Sequence, residues 1–153
     1  MLNLIHNVSL RLFDASGNVK DERFIHNYIT TAGKVAVTKQ VIGDASAGSQ
    51  PAKFNYGALG SSASSASSTA LTALNSELTA GSRAQDTGPT FSGAQGDLVF
   101  SFAAGVGTGA VKEAGLFNAA SSGTMLARVT FSTVNKGATD AMQVTWQITT
   151  SAA

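Results

Sequence analysis

Cysteine is absent from this 153-residue chain, which excludes disulfide staples and thiolate metal sites. Charge is scarce too. Asp, Glu, Lys and Arg make up 12% of the residues, and ten basic against nine acidic side chains leave a net charge of +1, too little for the electrostatic footprint of a nucleic-acid binder. Proline occurs twice and histidine twice. No apolar run approaches the ~18 residues of a membrane span, and the first residues carry no basic region ahead of a long apolar stretch. These absences exclude a DNA-coating protein and a helical membrane protein, and they place synthesis in the cytoplasm.

What remains is a chain that is 43% hydrophobic, enough to bury a core, with 16 glycines and a bias toward Ala, Ser and Thr. Glycines serve turns, and Ser and Thr suit half-exposed sheet faces. With neither disulfide nor metal, stability rests on packing or on neighbouring subunits.

The patterning is mainly β. Val8, Leu10 and Leu12 alternate with Ser9, Arg11 and Phe13; Asp14-Ala15-Ser16-Gly17-Asn18 reads as a turn, and Val19 to Ile25 returns as the second arm of a hairpin. Thr30 or Thr31 can cap a helix over Ala32 to Ile42, with Val35, Thr38 and Ile42 along one face and Gly43 at its end. Gly43 to Pro51 lacks periodicity and reads as a loop. Lys53 to Leu59 reads as a strand, the serine run Ser61 to Ser68 as a surface loop, and Leu71, Leu74 and Leu78 as a possible second short helix.

Further strands are expected near Arg83 to Phe91, Asp97 to Ala103, Ala110 to Phe117, Met125 to Phe131 and Ala141 to Thr150. In the last, Met142, Val144, Trp146 and Ile148 share one face, the cleanest alternation in the chain. The expected architecture is one antiparallel β-sandwich domain over residues 1–153 with one or two short helices. Leu2, Leu4 and Ile5 fall outside the alternating pattern, so residues 1–7 are expected to form an N-terminal arm able to reach a neighbouring subunit.

The candidate site residues are few. If a hairpin joins Ala110–Phe117 to Met125–Phe131 with Phe117 opposite Thr124, then Gly115 faces Leu126 and Glu113 faces Arg128, giving a structural ion pair between Glu113 and Arg128. His6 and His26 match no metal-ligand spacing, and Asp14 to Asn18 lacks the acidic run of a calcium loop. Gly105-Val106-Gly107-Thr108-Gly109 precedes a strand rather than the helix a dinucleotide fingerprint needs, and Gly33-Lys34 lacks the upstream glycine of a phosphate loop. No Gly-x-Ser-x-Gly elbow occurs. Phe91, Phe100, Phe102, Phe117 and Phe131 read as core. No enzyme, metal or cofactor is expected.

Lys112-Glu113-Ala114-Gly115-Leu116-Phe117-Asn118, followed by Leu126-Ala127-Arg128-Val129, resembles the Glu-x-Gly-[Leu/Ile]-[Phe/Tyr]-[Asn/Asp] signature of the N-terminal domain of phage tail-collar fibre proteins. Tyr56-Gly57-Ala58-Leu59-Gly60 is similar to that family's aromatic-x-x-x-Gly strand, and Thr69 through Glu77 to its helix lead-in, so the resemblance covers about Lys53 to Phe131. Arg11 to Asp21, His26-Asn27 and Thr30 to Lys34 resemble small standalone proteins of tailed-phage structural gene clusters.

The resemblance implies a virion-building module. Tail-collar fibres continue into a shaft and a receptor-binding tip, whereas this sequence ends soon after Ile148-Thr149, which turns the expectation toward a capsid cement or decoration protein, assembled as a trimer or dimer on other virion proteins. Alternatives are a collar, neck or tail-fibre attachment protein, and a host-surface carbohydrate-binding β-domain using the loops Gly43 to Lys53 and Ser61 to Ser68.

Overall fold

Hydrophobic alternation of period two runs through most of the chain, and its direct consequence is a pair of sheets facing each other across their apolar sides. The computed structural model describes residues 2–42, 52–64 and 71–152, with backbone alone for Leu2, Asn3, Tyr28 and Ala152. In chain order the elements are β1 (Leu2–Phe13), β2 (Val19–His26), β3 (Tyr28–Ile29), α1 (Thr31–Ile42), β4 (Tyr56–Gly60), β5 (Ala84–Gln85), β6 (Thr90–Ser92), β7 (Gln95–Phe102), β8 (Gly109–Phe117), β9 (Met125–Lys136) and β10 (Ala141–Ala152). Sheet A has the order β2-β1-β10-β7-β6 and sheet B the order β3-β9-β8-β4-β5, with every pairing antiparallel. The chain is thus a mainly β antiparallel sandwich.

Between the sheets, Val8 and Leu10 of β1, Phe100 of β7 and Trp146 of β10 pack against Leu59, Val111, Leu116 and Val129 of sheet B. Trp146, Phe100, Leu10 and Leu116 are fully buried, and each such side chain contributes about 1.5–3 kcal/mol. Gly57 explains why β4 tolerates a glycine at its centre: a Cβ there would stand 2.4 Å from the Phe100 ring.

The first hairpin forms as its sequence predicts. Asp14 Oδ1 accepts from the Ser16 and Asn18 amides at 2.8 and 2.9 Å, and Gly17 takes a φ of 85°. Those two bonds, with the Asn18 side chain, hold the Asp14 carboxyl below its ordinary range. Thr30 caps α1, its Oγ1 accepting from the Gly33 amide at 2.8 Å.

The face of α1 that turns inward differs from the expected one. Gly33 and Ala36 are buried against β9, while Val35 and Ile42 are exposed. The backbone of Leu126 decides this, because a Cβ at Gly33 would lie 2.3 Å from its carbonyl oxygen. The helix approaches so closely that only its smallest residues fit beneath it.

Three expectations are corrected. Leu2, Leu4 and Ile5 form no arm: they belong to β1, which pairs with β10 from Leu2↔Ala152 to Phe13↔Ala141. Within this strand His6 takes an inward position, with Trp146 Nε1 and the Asn27 amide nitrogen each 3.2 Å from its Nδ1. Leu71, Leu74 and Leu78 lie in an irregular segment rather than a second helix. Leu74 still turns inward, packed with Phe117 and Met125 on the outer side of sheet B. The strand expected over Arg83 to Phe91 splits into β5 and β6, because the Asp86 side chain takes the amides of Gly88 and Val99, each at 2.7 Å, and bends the chain between them. The loop expected over Gly43 to Pro51 lies outside the described residues, as do Ser65 to Ser68.

Candidate functional site

Glu113 and Arg128 meet, with Arg128 Nε donating to Glu113 Oε2 at 2.7 Å. They do so in a register two residues from the expected one. Gly115 faces Arg128 and Glu113 faces Thr130, so the pair is diagonal rather than directly opposite. Irregularities between Val111 and Glu113 and between Leu116 and Phe117 shift the ladder. A shift of two preserves the face, which is why the ion pair survives it.

Both side chains are nearly inaccessible, at 0% and 4% exposure, so their remaining polar atoms need partners. Glu113 Oε1 accepts from the backbone amides of Ser62 at 3.4 Å and Ser76 at 3.2 Å, and both terminal nitrogens of Arg128 donate to the Ser64 carbonyl at 3.2 Å. The ion pair therefore fastens the chain on either side of residues 65–70 to the outer face of sheet B.

A second, partly buried pair lies beside it. Arg83 donates through Nε and Nη2 to the two carboxylate oxygens of Glu77, both at 2.8 Å, and through Nη1 to the carbonyls of Ala119 at 3.0 Å and Ser122 at 2.8 Å. Its guanidinium carbon stands 3.6 Å from the centre of the Phe117 ring. Asn118 Oδ1 then accepts from the Thr124 amide at 2.7 Å, closing the β8–β9 turn. Each polar or aromatic residue of the Glu113 to Asn118 motif is thus engaged inside the molecule. Sequence reading missed Glu77 and Arg83; a bidentate carboxylate–guanidinium pair six residues apart in irregular chain has no periodic signature.

His6 faces inward. Its Nδ1 accepts from Trp146 Nε1 at 3.2 Å, with the Asn27 amide nitrogen also at 3.2 Å, and burial pushes its pKa from 6.5 down to about 4. The ring is neutral at pH 7. His26 lies on the far side of the hairpin opposite Asn7, and among the described residues no group of three or more potential ligands assembles.

At the β9–β10 turn, Lys136 is 1% exposed and donates to the carbonyls of Ala103 at 3.0 Å and Asp140 at 2.6 Å. Burial lowers its pKa, against the opposing pull of Asp140. Lys20, donating to Asp140 Oδ2 at 2.8 Å, and the Gly137 amide hold the Asp140 carboxyl low.

Among the described residues, two surfaces stand open to solvent with apolar side chains exposed on them. One is a cleft of about 700 Å³ at the end of the sandwich where α1, β6 and the approach to β4 converge. Phe54, Leu98, Leu126 and Ile148 supply apolar wall; Lys53, Asn55, Asp86 and Gln95 supply the polar part. Phe91, read as core from the sequence, is instead 79% exposed at this cleft, while Phe100, Phe102 and Phe117 are buried.

The other surface is the outer face of sheet A. There Phe24, Ser9, Thr145 and Val99 stand side by side across four strands, with Phe24 77% and Val99 40% exposed. The next row holds His26, Asn7, Gln147 and Asp97. Arg11 and Glu22, one row to the other side, neutralise each other. The face is broad, sparsely charged and interspersed with apolar side chains.

Comparisons with family models, with curated proteins and with solved structures found no match to this chain.

Proposed function

We propose that this chain is a structural protein of a tailed-bacteriophage virion, most specifically a capsid cement or decoration protein that stabilises the particle through repeated subunit contacts. It is made in the bacterial cytoplasm and resides in the virion. The observation that carries this reading is the Lys112 to Asn118 segment, which resembles the tail-collar signature and whose Glu113, Phe117 and Asn118 fasten covering chain to sheet B. A module built this way offers a firmly held surface on which repeated contacts can form.

The outer face of sheet A supplies the matching contact. Hydroxyl and amide side chains around Phe24 and Val99 form hydrogen bonds without the desolvation cost of charge, and many weak copies of such a contact add avidity on a symmetric particle. Attachment at the collar or neck is the second reading, favoured by the same signature. A glycan-binding role finds less support, since the Asn55 and Gln95 amide groups donate to Asp86 and Asp97 within the protein.

Electron microscopy of purified particles tests the proposal. Copies arrayed over the capsid facets are the expected result, copies confined to the collar or tail would move the assignment to the second reading, and absence from the particle would overturn both.

A further inference from the structure

An open sheet leaves a row of backbone amides and carbonyls unpaired along each edge, and natural sandwiches keep such edges short or guarded. Most edges here obey that rule. β3 and β5, which bound sheet B, have two residues each, and β6, at one side of sheet A, has three. β2 does not. It runs for eight residues, Val19 to His26, without a proline, and among the described strands only β1 pairs with it.

The usual guard on a long edge is a charge pointed inward, because an added strand would cover it without supplying a partner. β2 carries two such charges. Asp21 and Arg23 lie directly opposite the buried Leu12 and Leu10 of β1, so they share the inward face at the margin of the sandwich. Their signs are opposite. Arg23 Nη2 donates to Asp21 Oδ2 at 2.9 Å, yet Arg23 Nε is enclosed and, among the described residues, finds no acceptor. A guanidinium presents its donors as a planar fork, and this one has capacity left for a second carboxylate.

A strand with opposite charges two residues apart is its own complement when reversed. A two-fold axis through Glu22, perpendicular to the sheet, sets Asp21 of each copy directly opposite the partner's Arg23 on the same inward face. Both crossed pairs attract. The neighbouring registers lose this match, since an axis through Asp21 opposes two inward carboxylates and one through Arg23 opposes two inward guanidiniums. On the outer face the axis brings the two Glu22 side chains together, but each already accepts a hydrogen bond from Arg11 of its own copy. We infer that β2 is the contact between two copies of this chain, paired antiparallel about Glu22 so that sheet A of one continues into sheet A of the other. Backbone hydrogen bonds supply the adhesion, and the crossed Asp21 and Arg23 pairs choose a second copy over an unrelated strand and fix the register. The contact is a property of the isolated chain and does not rest on the virion assignment.

Sedimentation of the full chain over about 1–100 μM tests it. The expected result is a reversible monomer–dimer equilibrium. Asp21→Arg and, separately, Arg23→Asp should each weaken it by about tenfold or more, because the two-fold axis repeats every like-charge contact. Mixed in equal amounts, the two variants should associate again, since each offers the other the opposite charge at both positions. Glu22→Cys, in a chain without other cysteines, should link two copies on mild oxidation, whereas Ser101→Cys, in the same row of sheet A but on β7, should not. Circular dichroism confirms that each variant keeps its fold. A wild-type monomer throughout the range overturns the inference, as does a dimer indifferent to both charge reversals. Variants that stay apart when mixed, or a Glu22→Cys chain that links no faster than Ser101→Cys, would also overturn it.

Discussion

Gly60 lies directly opposite Glu113 in the β4–β8 ladder, and the carboxylate occupies the space a side chain at Gly60 would need. A Cβ there would stand 2.5 Å from Oε1 and 2.6 Å from Cγ. The glycine is what lets a buried carboxylate lie flat enough to reach two backbone amides and a guanidinium.

Gly60→Ala should therefore destabilise the protein by about 1–3 kcal/mol, the usual cost of overpacking. Urea unfolding monitored by Trp146 fluorescence measures it. An unchanged midpoint would show that Glu113 has room to move.

Removing one member of the buried pair leaves the other charged without its partner. Arg128→Met or Glu113→Leu alone should cost about 3–5 kcal/mol, while the two together should cost much less than the sum. A double-mutant cycle reads the difference, and strictly additive losses would count against the coupling.

His6 gives the fold a pH dependence whose sign follows from its lowered pKa. Between pH 6.5 and about 4 the unfolded chain binds the proton more readily than the folded one. The stabilisation is complete above pH 6.5 and falls as pH approaches 4, by about 3 kcal/mol in all, then levels off once both states are protonated. Denaturation across that range should show this slope in the wild type and lose it in His6→Gln.

Gly33→Ala should prove more damaging than Gly60→Ala. The obstructing atoms at Gly33 are backbone atoms of Leu126, which a side-chain rotation cannot clear. A loss of about 3 kcal/mol or more is expected, with increased hydrogen exchange in α1 as the specific signature.

The strands most legible from sequence were those whose two faces differ in polarity. β10 is the best instance, with Met142, Val144 and Trp146 inward and Gln143, Thr145 and Gln147 on the opposite face. The start of β1 was hidden for the converse reason. Ile5 points outward and is 45% exposed while His6 points inward and is 4% exposed, so the apolar residue and the polar one sit on each other's expected faces. The inward histidine meets the Trp146 indole, 140 residues away in sequence, and the Asn27 side chain, partners that no local pattern announces.

The Glu113–Arg128 partnership was legible because opposite charges on one face of a hairpin still meet diagonally after a register shift of two. The register itself was not, since the irregularity between Leu116 and Phe117 has no signature in the alternation of the two strands. Glu77, Arg83 and Asp86 left no pattern at all: each acts through partners fixed by tertiary structure.

The pairing of β1 with β10 joins the first strand to the last across the middle of sheet A. Until β10 arrives, the β1–β2 hairpin keeps an unpaired edge along β1, the strand that carries Val8, Leu10 and Leu12. Ring closure over nearly the whole chain is entropically slow. Completion of sheet A should thus wait on β10, and the waiting hairpin is the segment on which a chaperone would act.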